Sequence, residues 1–290
     1  MASYDLAKSM KPMAIEELLD YYFYRRVAHL MVPYLIRLKI TPNQITTLSL
    51  VFGLVAAFFV YHSYFIYGAF LFLAAVFFDC CDGQVARLTH TSSVFGRTLD
   101  GFFDFIWITA FWIAIYFSGY FQSHDINILA LMITSAVSMI LHCWRFDGVK
   151  VLYLEHSSAV YGEGDLDCAE AWGLCKQEAR RFNFFTAFLA ILLAFQMYFF
   201  GRGKEKKGSK TLPAEARQAF IKKAEPVINL YSYLGEGHHN TLVIMGLFLA
   251  PFTPYLLIAA FWIILIPMNL WWFYCEWRWR RAVKGCRVSL

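Results

Sequence analysis

Apolar runs about twenty residues long alternate with short polar links through the first half of the chain. The runs at 43–61, 64–87, 94–118 and 126–144 each approach the ~20 residues a helix needs to cross a bilayer, so they predict four transmembrane helices. Pro42 suits the first turn of the first helix, with Thr41 as its cap. Ahead of them, residues 14–38 interleave Glu16, Glu17, Asp20, Arg25 and Arg26 with Tyr and Phe. That segment is too polar to span and predicts an amphipathic helix lying along the membrane surface.

Beyond Trp144 the pattern is less regular. Residues 151–181 are polar and predict a loop, 182–200 carry no charge, and 212–228 read as a polar helix. Two further apolar runs, 240–250 and 255–274, are separated by Pro251 and Pro254. The tail WRWRRAVKGCR is strongly basic, which places it in the cytoplasm. Arg25, Arg26, Arg37 and Lys39 place the N-terminus there as well. Both ends inside require an even number of crossings, whereas one crossing per apolar run would make seven. Residues 182–200 are therefore expected to lie at the interface or to re-enter, with the run at 240–250, short for a span, as the other candidate.

Composition agrees with a polytopic membrane protein: 59% hydrophobic, 19% aromatic and only 16% charged. A net charge of +5 is accounted for by basic cytoplasmic loops and does not argue for nucleic acid. The seven cysteines show no metal-binding spacing and read as reduced or lipid-buried thiols. Residues 1–13 lack the apolar core of a cleavable signal peptide.

The chemistry concentrates between Asp79 and Asp104. A carboxylate within a span costs roughly 2.5–3.5 kcal/mol on insertion scales unless it is paired, solvated or bound to a cation. Four aspartates fall in these 26 residues. On one helix Asp79, Asp82, Gly83 and Ala86 stand at i, i+3, i+4 and i+7, a single stripe. On the next, Gly96, Asp100 and Asp104 stand at i, i+4 and i+8. A turn over the intervening link lets the stripes face each other, with Gly83, Ala86 and Gly96 making room. A cluster of carboxylates without His or Cys suits hard cations, Mg²⁺ or Mn²⁺, and four carboxylates can hold two ions. Counting spans puts residues 87–95 in the cytoplasm, so the cleft is expected to open toward the cytosol.

Written out, the order is Asp79-x2-Asp82-Gly83-x2-Ala86-Arg87-x8-Gly96-x3-Asp100-x3-Asp104. This resembles the complete signature of the CDP-alcohol phosphotransferases, with all eight defining positions at the family spacing. Upstream, Thr41-Pro42-Asn43-Gln44-Ile45-Thr46 is similar to the start of that family's first span. The resemblance implies an all-α integral membrane protein, a six-span helical bundle with the N-terminal amphipathic surface helix. It divides the chain into an N-terminal segment (1–41), a catalytic core (42–147), a cytoplasmic loop containing 182–200 (148–237), two last spans (238–276) and a basic tail (277–290). It also implies a homodimer.

The resemblance further implies a metal-dependent enzyme that joins the phospho-alcohol of a CDP-linked donor to an acceptor hydroxyl and releases CMP, for phospholipid synthesis. Asp79, Asp82 and Asp100 would hold the cations. Asp104 would act as general base and touch the second metal. Asn43 and Thr46 would lie near the nucleotide, Gly83, Ala86 and Gly96 would admit the donor, and Arg87 would pair with a phosphate. Arg97, Arg145 and Lys150 are candidates for an anionic acceptor. CDP-diacylglycerol with a polar alcohol is favoured over CDP-choline or CDP-ethanolamine with diacylglycerol, because the chain is shorter than the ten-span enzymes that use the latter.

Two other readings compete. Intramembrane acids also line cation- or proton-coupled transporters, but here they cluster at one end and no inverted repeat is apparent. A catalytically silent scaffold is at odds with the intact motif. Elsewhere, Glu163, Asp165 and Asp167 lack the rest of a calcium-loop pattern and read as a solvated loop. Gly235-Glu236-Gly237-His238-His239-Asn240 reads as a helix start, or else as a stretch facing the acceptor.

Overall fold

The computed structural model describes Ser9 and residues 13–119, 125–157, 188, 191 and 214–284. Every regular element among these residues is helical. A 3₁₀ turn, Met13–Ile15, and a π-helical turn, Asp20–Tyr24, lead into α1 (Arg25–Arg37). Four long helices follow: α2 (Pro42–Tyr61), α3 (Phe65–Leu88), α4 (Val94–Phe117) and α5 (Ile126–Ser157). The C-terminal part holds α6 (Ala214–Tyr231), α7 (Glu236–Leu249), α8 (Pro254–Leu265) and α9 (Pro267–Val283).

Five stretches are long and apolar enough to cross a membrane: Pro42–Tyr61, Phe65–Leu88, Leu99–Phe117, Ile126–Leu154 and Tyr255–Val283, the last joining α8 to α9 across Pro267. The chain is an integral membrane protein. Its lipid-compatible surface is visible on α2, where Leu48, Val51, Leu54, Val55 and Phe58 are all exposed. The fourteen residues of α7 make a helix about 21 Å long, short of the ~30 Å hydrocarbon core. The uncharged run 182–200 lies outside the described residues apart from Phe188 and Ile191, and residues 162–167 lie outside them entirely.

The first three long helices pack tightly. A Cβ on Gly53 would stand 2.5 Å from the Trp107 ring, so glycine is what lets α2 approach α4. A Cβ on Gly68 would collide with Val60 at 2.4 Å, so the same holds for α2 and α3. The turns after α1, α2 and α3 each contain a left-handed residue, Lys39, Ser63 and His90. In each, the next amide reaches five residues back, as in Thr91 N–H to Ala86 O at 3.0 Å. That is the helix-ending arrangement usually built on glycine, here made without one.

Two departures from the sequence reading have physical causes. The fourth predicted span stops at Trp144, but α5 runs on to Ser157. Its extension is held by a second core, in which Phe146, Val149 and Tyr153 pack with Phe220, Val227, Ile228, Tyr231, Cys275 and Trp279 from α6 and α9. In the N-terminal segment, α1 has Ala28, Val32 and Leu35 buried and Leu30, Met31 and Tyr34 exposed. The segment's charges, however, are not all on the outer face: Glu16, Glu17 and Arg25 are buried. Arg25 Nε donates to Glu16 Oε1 at 2.9 Å. Glu17 serves a different helix altogether, described next.

Candidate active site

α2 begins with a capping box. The Gln44 amide donates to Thr41 Oγ1 at 3.4 Å, and the Thr41 amide donates to Gln44 Oε1 at 2.9 Å. This fixes the first turn, and Thr46 follows on its inner side. Thr46 Oγ1 donates to Asp82 Oδ2 at 2.6 Å and to Pro42 O at 3.0 Å. α4 starts in the same way, with Ser93 Oγ accepting from the Gly96 amide at 2.9 Å. A Cβ on Gly96 would meet Asn43 Oδ1 at 3.4 Å, so the starts of α2 and α4 lie side by side.

These two helix starts flank the end of α3 and bring the motif together. Asp79, Asp82 and Asp100 can each direct a carboxylate oxygen to a point where the three oxygens lie within 4.8 Å of one another. The donor set is all oxygen, and Asp100 Oδ1 is buried without a hydrogen-bond partner. A buried carboxylate oxygen left unpaired is costly, and a hard divalent cation is the kind of group that relieves it. The residues fit such an ion. Asp104 stands outside that group of three. Its Oδ1 accepts the indole N–H of Trp107 at 3.0 Å. Trp107 is itself buried, edge-on to Phe72 with ring centroids 4.8 Å apart.

Arg87 folds back along its own helix. Its Nε donates to Ser9 O at 2.6 Å, and its Nη2 is buried with no partner. A Cβ on Gly83 would come within 3.3 Å of Arg87 Nη1, so glycine leaves the guanidinium room. Ala86 is half-buried one residue before it. Arg97 lies on the first turn of α4, with its side chain outside the described residues. Arg145 stands elsewhere, in the second core. Its Nη2 donates to Glu276 Oε2 at 3.1 Å and its Nε to Glu276 Oε1, which also accepts from Tyr231 at 2.7 Å and from Trp272 at 3.2 Å.

The residues from Gly235 to Asn240 form the head of α7, and their cap comes from far along the chain. Glu17 Oε1 accepts the Glu236 amide at 3.1 Å and Glu17 Oε2 accepts the Gly237 amide at 2.8 Å. A carboxylate at a helix N-terminus is favoured both by the free amides and by the macrodipole. The flanking glycines permit it: a Cβ on Gly235 would lie 2.0 Å from the Glu17 carboxyl carbon, and one on Gly237 would lie 2.6 Å from Asp20 Oδ1. Burial, and then the neighbouring Glu17, hold the Asp20 carboxyl well above the ordinary carboxylate range.

The two histidines make separate contacts. His239 Nδ1 donates to Gly235 O at 2.7 Å, and its Nε2 faces His142 Nδ1 at 3.1 Å, tying α7 to α5. His238 Nδ1 lies 3.9 Å from Glu17 Oε2. The roles of Glu17 and Trp107 escaped the sequence reading. Trp107 follows Asp104 by three residues and so shares its helix face, a legible signal. Glu17 lies 220 residues from Gly237 and carries no local signal beyond the glycines that admit it.

The sequence matches a family profile, CDP-alcohol phosphatidyltransferase, over residues 39–203, more than half of the chain. Two curated proteins from strains of Helicobacter pylori, each called CDP-diacylglycerol–serine O-phosphatidyltransferase, are 36% and 34% identical to it. Both alignments run over 84 residues, 29% of this chain and 34% of the relative, so the match spans about a third of the relatives' length. No solved structure matches. The profile match takes in the whole carboxylate motif and the helices that assemble it, and the chain belongs to the CDP-alcohol phosphatidyltransferase family.

Proposed function

We propose that the protein transfers a phosphatidyl group from CDP-diacylglycerol to the hydroxyl of a small alcohol and releases CMP. The observation that carries this reading is the convergence of Asp79, Asp82 and Asp100, with Asp100 Oδ1 buried and unpaired. The donor is the one in the names of the Helicobacter relatives. Asp79, Asp82 and Asp100 would hold Mg²⁺ or Mn²⁺, one or two ions. When bound, such ions neutralise phosphate oxygens and improve CMP as a leaving group.

The chain's own residues supply the rest. Thr46 orients Asp82, so its carboxylate meets the cation in one geometry. Gly83, Ala86 and Gly96 leave room for the nucleotide, Asn43 lies at the rim beside Gly96, and the unpartnered Nη2 of Arg87 is suited to a diphosphate oxygen. Asp104 removes the proton from the acceptor hydroxyl. The acceptor oxygen then forms its bond to the phosphorus that carries diacylglycerol, and the bond from that phosphorus to the bridging oxygen breaks, leaving CMP.

The bundle reading has six crossings, the five long stretches and the shorter α7, with a catalytic core at 42–147, both termini in the cytoplasm and the cleft facing the cytosol. It is supported by the basic residues before α2 and at the end of α9. A homodimer completes it by family resemblance. The decisive assay is CMP release by purified protein with Mn²⁺ or Mg²⁺, CDP-diacylglycerol and a panel of alcohols. Release that needs donor, acceptor and metal together supports the reading. Release only with CDP-ethanolamine and diacylglycerol, or none with any pair, overturns it.

A further inference from the structure

The carboxylate cleft has a second wall. α7 runs antiparallel to α3. Phe248 meets Phe70 near one end, with ring centroids 5.0 Å apart. Seven residues along each helix, Tyr24 bridges the two: its hydroxyl lies 2.7 Å from Thr241 Oγ1, and its ring centroid 5.7 Å from that of Phe77. Extending the same register brings Glu236, at the head of α7, level with Asp79 and Asp82. Glu236 is half-buried there and within electrostatic reach of Asp79 and Asp104. Asn240 Nδ2 donates to its Oε1 at 3.2 Å.

No salt bridge reaches Glu236 among the described residues. The charges around it, Asp79, Glu17 and Asp147, are negative. The nearby cations are already engaged: Lys150 with Asp147 at 3.0 Å, Arg25 with Glu16 at 2.9 Å, and Arg145 with Glu276. Among the described residues, an anionic acceptor beside Glu236 therefore meets a further carboxylate and no unengaged cation.

We propose that Glu236 determines acceptor specificity, and that the acceptor is an alcohol bearing a primary ammonium group. This rests on the transferase reading above. An ammonium placed against Glu236 gives a charge-assisted hydrogen bond. A neutral alcohol of the same size leaves Glu236 desolvated with Asn240 as its partner and no cation, which is how a polar site rejects an analogue lacking the matching group. The clamp of Glu17 on the α7 amides and the tight fit at Gly235 and Gly237 hold Glu236 at that position.

The test compares ethanolamine and L-serine with ethylene glycol and glycerol as acceptors for CDP-diacylglycerol. CMP release is measured for the wild type, Glu236→Gln and Glu236→Asp. The wild type should prefer the amino alcohols. Glu236→Gln should raise KM for them at least tenfold more than for the neutral alcohols, and Glu236→Asp should restore part of the preference. A wild type that uses ethylene glycol or glycerol as well as ethanolamine overturns the inference and leaves the transferase reading standing. Equal losses with all four alcohols in Glu236→Gln overturn it too, as a purely structural role. Absence of CMP release with every acceptor overturns both.

Discussion

Trp107 holds Asp104 by a hydrogen bond of 3.0 Å from its indole nitrogen to Oδ1. One carboxylate oxygen is thus committed, and the other is left to receive a proton. Trp107→Phe keeps an aromatic ring against Phe72 and deletes the donor. Its kcat should fall about tenfold, equivalent to ~1.4 kcal/mol of barrier, with little change in KM for the donor. Steady-state CMP release measures it. Asp104→Asn should abolish turnover while nucleotide binding persists, and loss of binding as well would make Asp104 an obligatory metal ligand.

Thr46 should matter through Asp82. Its 2.6 Å hydrogen bond is to a buried carboxylate, and such bonds contribute roughly 1.5–3 kcal/mol. Thr46→Val should weaken Mn²⁺ binding, raising the metal concentration for half-maximal activity by about tenfold or more. Thr46→Ser should stay near the wild type. A Thr46→Val protein with the wild-type metal requirement would show that the hydroxyl does not matter at this position.

Cation binding should also be readable as stability. The unpaired Asp100 Oδ1 and its two neighbours are costly when empty, so an ion that binds the folded state raises melting temperature. At a hundred times its Kd the gain is about 2.7 kcal/mol. Chelator should remove both this gain and the activity, and Mn²⁺ or Mg²⁺ should restore them. Asp100→Asn and Asp79→Asn should lose the shift. An unchanged metal-induced shift in both variants would place the ion elsewhere.

The head of α7 should depend on the N-terminal segment. Glu17→Gln keeps the shape but loses the charge that two amides share, and should cost about 1–3 kcal/mol. Gly237→Ala should be worse, because its Cβ has only 2.6 Å to Asp20 Oδ1. Both should lower the melting temperature in detergent. A Gly237→Ala protein as stable as the wild type would mean that this junction is loose.

The motif was legible because its information is local. Residues three and four apart share a helix face, so Asp79, Asp82, Asp100 and Asp104 could be aligned without knowing the fold. The capping box at Thr41 and Gln44 was half-legible for the same reason. What escaped is non-local. The length of α5 depends on a core built with α6 and α9, and no pattern within residues 145–157 announces that partner. Glu16, Glu17 and Arg25 read as a solvated face because charged residues on an amphipathic segment usually are. Their burial follows from pairings with Arg25 itself and with a helix more than two hundred residues away. Arg145, offered as an acceptor contact, lies against Glu276, 131 residues downstream, another partner that no local spacing reveals.

The Glu17 clamp has a bearing on how the protein is made. Residues 13–37 leave the ribosome long before α7 is synthesised, so Glu17 must wait at the leaflet while the long helices enter the bilayer. Until it docks, the first amides of α7 have no partner in an environment poor in water. Completion of the bundle is therefore a late event that joins two segments made more than two hundred residues apart.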